Sequence, residues 1–121
     1  QPELAKAFLA KIAESDALII SFAEHNGTYS VAYKNLFDWC SRINKKVYQQ
    51  KDMILLATSP GPGGAARILD IAKTSAPHFD GVVKASLSIP NFHSNFDVEL
   101  GRIKNTEINE QLINAVHALL D

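Results

Sequence analysis

An α/β fold with a parallel, helix-covered sheet is predicted for this chain from three observations. Two apolar runs, residues 17–20 and 53–57, carry no polar alternation, the pattern of strands buried on both faces. Each opens into a turn-rich stretch and then into apolar residues at three- and four-residue spacing, so strand, loop and helix recur in that order. The chain has 121 residues, enough for a single domain, 1–121, but not for two.

The elements follow in order. Pro2 suits the first turn of a helix, and Leu4, Ala5, Phe8, Leu9, Ile12 and Ala13 form its apolar stripe opposite Lys6, Lys11 and Glu14. Ser15-Asp16 ends that helix before the strand Ala17–Phe22, whose two faces are both expected to be buried. A second helix, N-capped by Ser30, carries Leu36, Trp39, Cys40, Ile43 and Val47 on one stripe, with Lys34, Asp38 and Arg42 pairing at i,i+4 on the other. Trp39 and Cys40 are read as core residues, since both lie on the apolar stripe and Cys40 has no neighbouring base. The second strand runs into Thr58-Ser59-Pro60-Gly61-Pro62-Gly63-Gly64 and a helix that stops before Pro77.

A third strand, residues 83–89, alternates Val83, Ala85, Leu87 and Ile89 with Lys84, Ser86 and Ser88, which predicts one wetter face at a sheet edge. Residues 91–105 have no periodicity and are expected to form a long loop. Thr106 is expected to cap a last helix that buries Ile108, Leu112, Val116 and Leu119.

Composition narrows the function. A net charge of -1 without a dense Lys/Arg cluster argues against nucleic acid as the main partner. Lys45-Lys46 and Lys51 are better read as a solvated helix end. One cysteine suits a reducing cytosol, and no apolar run approaches the length of a membrane span, so a cytoplasmic protein is expected. The chain opens on Gln1, which raises the expectation of a processed or trimmed piece of something longer. His25, His78, His93 and His117 show no metal-ligand spacing, and no nucleophile–base set is suggested, so chemistry here would belong to a cofactor.

In open α/β sheets, ligands sit beyond the carboxyl ends of the strands. That makes residues 23–28 the first place to look, because Asn26-Gly27 supports positive φ and a close backbone approach. The glycine-rich loop after the second strand is a weaker signal; it matches neither a Walker A loop nor the Gly-x-Gly-x-x-Gly fingerprint.

Ala23-Glu24-His25-Asn26-Gly27-Thr28, with Lys34-Asn35, Asp38-Trp39 and Ser41-Arg42, resembles the signature of the NADPH-dependent FMN reductase family, which includes quinone, azo and chromate reductases. Ser59-Pro60-Gly61 with Gly63-Gly64-Ala65 and Arg67 is similar to that family's glycine-rich loop, and residues 97–112 to its C-terminal segment. Ala23 and His25 depart from the proline and tyrosine usual there.

The resemblance implies a flavodoxin-like three-layer parallel sheet of strand order 2-1-3-4-5, of which this chain holds strands 3–5. It implies FMN bordered by backbone groups of Glu24, His25, Asn26 and Gly27, with Ser59 and Gly61 approaching from the other side. It also implies NADPH or NADH as reductant, a small-molecule electron acceptor (quinone, azo dye, free flavin or metal oxyanion) and a homo-oligomer, dimer or tetramer. No stretch matches the family's phosphate loop, so these residues alone are expected to hold FMN weakly. The alternatives are an electron-transfer flavoprotein of flavodoxin type and a non-catalytic fragment that no longer holds FMN; near-neutral charge favours the enzyme over a carrier.

Overall fold

The computed structural model describes residues 2–120. In chain order they form α1 (Glu3–Glu14), β1 (Ala17–Phe22), β2 (Glu24–His25), β3 (Thr28–Tyr29), α2 (Val31–Ile43), β4 (Asp52–Thr58), α3 (Ala66–Ser75), β5 (Val82–Ile89), the short α4 (Phe92–Asn95), β6 (Phe96–Asp97), β7 (Arg102–Ile103) and α5 (Thr106–His117). Single 3-10 turns, Ala76–Phe79 and Ala118–Leu120, follow α3 and α5. The main sheet is parallel, in the order β1-β4-β5, so the three strands expected from sequence are those present.

The register explains the layers. Leu18, Ile20 and Phe22 of β1 pair with Met53, Leu55 and Ala57 of β4. These residues share one core with Ala5, Leu9 and Ile12 of α1, Cys40 of α2 and Ile68, Leu69 and Ala72 of α3, which places three helices on one face. Ile54 is fully buried on the opposite face, where α5 brings Ala115 over Ala85 and Leu87. A central strand covered on both sides reads as unbroken apolar sequence because neither parity of side chain meets water.

Several expectations need correction. The strand β1 is not buried on both faces: Ile19 is 54% exposed and Ser21 is exposed, because α5 lies over β5 and leaves this edge open. The α1 stripe is narrower than its spacing suggested, with Leu4 81% exposed and Ala13 exposed. In α2 the inward arc runs through Cys40, flanked by half-buried Tyr33, Leu36, Phe37 and Ile43. Trp39 falls outside that arc at 42% exposure, and Val47 is buried but lies beyond the helix end. Asp38 pairs with Lys34 at 2.9 Å, and the pairing does not extend to Arg42.

In β5 the pairing skips Lys84, since Met53 faces Val83 and Ile54 faces Ala85. This bulge splits the apparent alternation: Val83 joins the three-helix core, while Ala85 and Leu87 face α5. Ser86 and Ser88 are therefore half-buried rather than on a wet face. The predicted long loop holds α4 and a small antiparallel pair, β6–β7. Asn105, rather than Thr106, caps α5, its side chain accepting from Ile108 N–H at 3.0 Å, and Val116 is 37% exposed. Ser30 caps α2 as expected, accepting from Tyr33 N–H at 3.2 Å.

Candidate functional site

Three loops leave the carboxyl ends of the parallel strands. The first folds back on itself: Glu24 pairs with Tyr29 and His25 with Thr28, around a turn at Asn26 (φ 52°) and Gly27 (φ 83°). Two successive residues at positive φ make the tight hairpin turn that Asn-Gly favours, because its twist matches the flanking strands. Strand alternation sends the Glu24 and His25 side chains to opposite sides. Glu24 turns toward α3, where its Oε1 accepts a hydrogen bond from Ile68 N–H at 2.9 Å. His25 is exposed. At Gly27 a Cβ would stand 2.9 Å from Arg67 Nη1, so the guanidinium lies directly against the turn.

The second loop, residues 59–65, is held from within and from β5. Ser59 Oγ donates to the Gly61 carbonyl at 3.2 Å, and Ser59 N–H to the Ile89 carbonyl at 3.4 Å. The third loop closes on it: Asn91 N–H donates to the Gly61 carbonyl (2.9 Å) and Phe92 N–H to the Ser59 carbonyl (3.0 Å). Ser88 Oγ donates to the Gly64 carbonyl at 2.7 Å. Gly64 and Ala65 both have positive φ, 61° and 56°, turning the chain into α3. Apart from the adjoining residues, no heavy atom lies within 4 Å of where a Cβ would stand on Gly61 or Gly63, so the loop presents backbone to open space.

The six residues singled out from sequence thus fall on two loops at the ends of neighbouring strands β1 and β4, joined by the Glu24–Ile68 bond. The Glu24 side chain has a defined partner of its own, apart from the backbone role the resemblance implies for the residue. Ser59 and Gly61 likewise spend backbone groups on the third loop. Arg67, Ser88 and Asn91 were not singled out as site residues. Asn91, at φ 51°, had a signal in its residue type after Pro90; the contacts of the other two depend on the tertiary fold.

Behind the first loop lies an aromatic cluster. Tyr29 stacks on Tyr33 (centroids 5.2 Å), Tyr33 on Phe37 (6.0 Å), and Phe37 meets Phe79 edge-on (4.8 Å). A pocket of about 160 Å³ opens here between α2 and α3, rimmed by Lys34 and Asp38; none of the six predicted residues lines it. Burial pushes the Tyr48 hydroxyl up to about 12 and raises that of Tyr33, its hydrogen-bond partner, so both stay protonated at neutral pH. Burial also raises the Cys40 thiol, which agrees with a packing role rather than a nucleophile. Among the described residues no three His, Cys, Asp or Glu side chains group as metal ligands, and no helix is long and apolar enough to cross a membrane.

The sequence pattern of a family described as NADPH-dependent FMN reductase matches residues 1–94, a span that includes both predicted loops. A 2-hydroxy-1,4-benzoquinone reductase from a Burkholderia species is 38% identical over 66 residues, 54% of this chain and 36% of that enzyme. An NAD(P)H-dependent FMN reductase of Pseudomonas aeruginosa is 26% identical over 120 residues, 98% of this chain and 64% of the relative. The flavoenzyme FerB, an NAD(P)H:(acceptor) oxidoreductase from Paracoccus denitrificans, superposes with a TM-score of 0.79 at 26% identity, covering 99% of this chain and 67% of FerB. In these curated relatives the matched stretch is less than two thirds of their own length.

Proposed function

Because the chain belongs to the NADPH-dependent FMN reductase family, we propose that it forms the ring-binding part of an FMN-dependent NAD(P)H oxidoreductase whose acceptor is a small molecule, a quinone in the first instance. The observation that carries this reading is the pairing of two narrow glycine-containing loops at the ends of neighbouring strands β1 and β4, both inside the family match, with Gly61 and Gly63 of the second facing open space. Open space in front of Gly61 and Gly63 suits the approach of a flat ring, so the residues present fit the flavin. Backbone groups of Glu24, His25, Asn26 and Gly27 would border the ring's polar edge, with Ser59 and Gly61 on the other side. Bound there, the flavin supplies hydride transfer between nicotinamide and acceptor. The chain itself would orient the ring and shield one side of it from water; no side-chain acid or base is required of it. The quinone preference rests on the Burkholderia relative, which is named a benzoquinone reductase.

Lumiflavin, the ring without the phosphate, is expected to lose fluorescence on titration with the chain. Bound FMN should bleach when NADPH or NADH is added without oxygen and recover on addition of a quinone. Binding without bleaching by either nucleotide would favour an electron carrier of flavodoxin type, and no quenching at all would sink the flavin reading.

The same reading includes self-association, as a dimer or tetramer. It draws support from the open apolar side of β1 at Ile19 and from exposed Trp39 on α2. Light scattering at micromolar concentration should give a multiple of the 13.3 kDa chain mass, and a clean monomer would count against it.

A further inference from the structure

The helix α3 begins without a cap of its own. Its N-cap residue is Ala65, in a left-handed conformation and with no side chain able to accept from the first turn. The missing acceptor comes from the other loop: Glu24, 44 positions earlier, offers its carboxylate to the Ile68 amide, the third of the helix. A carboxylate at that position satisfies an orphan N–H and sits at the positive end of the helix dipole. The base of the first hairpin is thereby bonded to the helix that directly follows the glycine-rich loop. Sheet pairing sets the distance between the two loops only as far as Phe22 and Ala57. Beyond those residues the hairpin meets α3 directly, with the Arg67 guanidinium against the Gly27 turn and the Glu24 carboxylate on the Ile68 amide.

We propose that Glu24 is a positioning residue: by capping α3 from the opposite loop it holds the hairpin and the glycine-rich loop at the separation a flavin ring occupies. This rests on the flavin reading above and gives the Glu24 side chain a task distinct from its backbone's. Removal of the carboxylate frees the first turn of α3 and lets the two walls drift apart, while an uncharged carbonyl in the same place preserves the link.

The test compares the full chain with Glu24→Ala and Glu24→Gln by two readouts, amide exchange at Ile68 in the flavin-free protein and lumiflavin affinity by fluorescence quenching. In Glu24→Ala, Ile68 exchange is expected to quicken and lumiflavin affinity to fall, each about five- to tenfold, the scale of a lost cap. In Glu24→Gln both should stay within about threefold of the parent, since the amide oxygen still accepts. Unchanged Ile68 exchange in Glu24→Ala overturns the link. Quickened exchange with unchanged affinity shows that Glu24 serves the helix alone and overturns the positioning role, as does a Glu24→Gln as impaired as Glu24→Ala. If the parent chain binds no lumiflavin, the flavin reading falls and the positioning role with it. That failure is recognisable because Ile68 exchange still responds to Glu24→Ala.

Discussion

Gly64→Ala is expected to destabilise the protein by about 2–5 kcal/mol and, on the flavin reading proposed above, to abolish lumiflavin binding. Two effects combine. Gly64 has φ 61°, a conformation that costs an L-residue about 1–2 kcal/mol. The new Cβ would also run into Ser88 Oγ and stand 3.1 Å from Pro90 N and 3.2 Å from Pro90 Cα. Backbone at Pro90 cannot step aside as a flexible side chain can, so overpacking adds about 1–3 kcal/mol. The damage is local to the site, because Ser88 Oγ donates to the Gly64 carbonyl and the third loop is bonded to the same segment through Gly61. Urea unfolding followed by circular dichroism reads the first effect and lumiflavin titration the second. A midpoint unchanged from the parent would mean that the loop does not hold this conformation. Gly61→Ala is the companion measurement: with nothing within 4 Å of its Cβ position, it should leave stability nearly untouched.

Leu55→Ala is expected to cost about 2–5 kcal/mol, lowering the melting temperature by roughly 8–20 °C at about 4 °C per kcal/mol. Leu55 is fully buried in the middle of β4, with Ile20 on one side and Ser86 on the other, and it faces the core shared with the three-helix layer. The surrounding strands are pinned by their ladders and cannot collapse into the space a truncated side chain leaves. Ile19→Thr on the neighbouring strand should cost under about 1 kcal/mol in a monomer, since Ile19 is already half in water and Thr keeps a β-branched side chain there. Scanning calorimetry on the two variants checks the contrast. Equal losses would mean that the open side of β1 is covered in solution.

What could be read along the chain was chemistry that acts over short distances. The runs at 17–22 and 53–57 suit strands because they are short, mostly apolar at both parities and bounded by turn residues; the expected cover on both sides is found for β4, where Met53, Ile54, Leu55 and Ala57 are buried and Leu56 half-buried, and on one face of β1. Asn26-Gly27 specifies a tight turn because few other pairs tolerate positive φ twice in succession, and both dihedrals are positive. Ser30 specifies a helix start because its hydroxyl can reach Tyr33 N–H three residues on. The family resemblance rests on these same short motifs, and the match over residues 1–94 covers them.

Other features depend on which segments meet. The α2 stripe includes Trp39 by spacing, yet only the docking of α1 and the sheet decides that Cys40 lies at its centre and Trp39 at its margin. The bulge at Lys84 is a matter of register between β4 and β5, and it turns a tidy alternation into a strand that feeds two cores. From sequence Glu24 is only a residue of the first loop; its link to Ile68 exists because parallel pairing brings that loop alongside the start of α3. The sequence by itself therefore determined the three strands of the main sheet, the four longer helices, their order and the two turns on which the candidate site is built, because dihedral preference and hydrophobic period are properties of neighbours in the chain. The tertiary structure alone decided which faces are open, which glycine is crowded and which carboxylate caps which helix, because those depend on contacts between residues 24 to 44 positions apart.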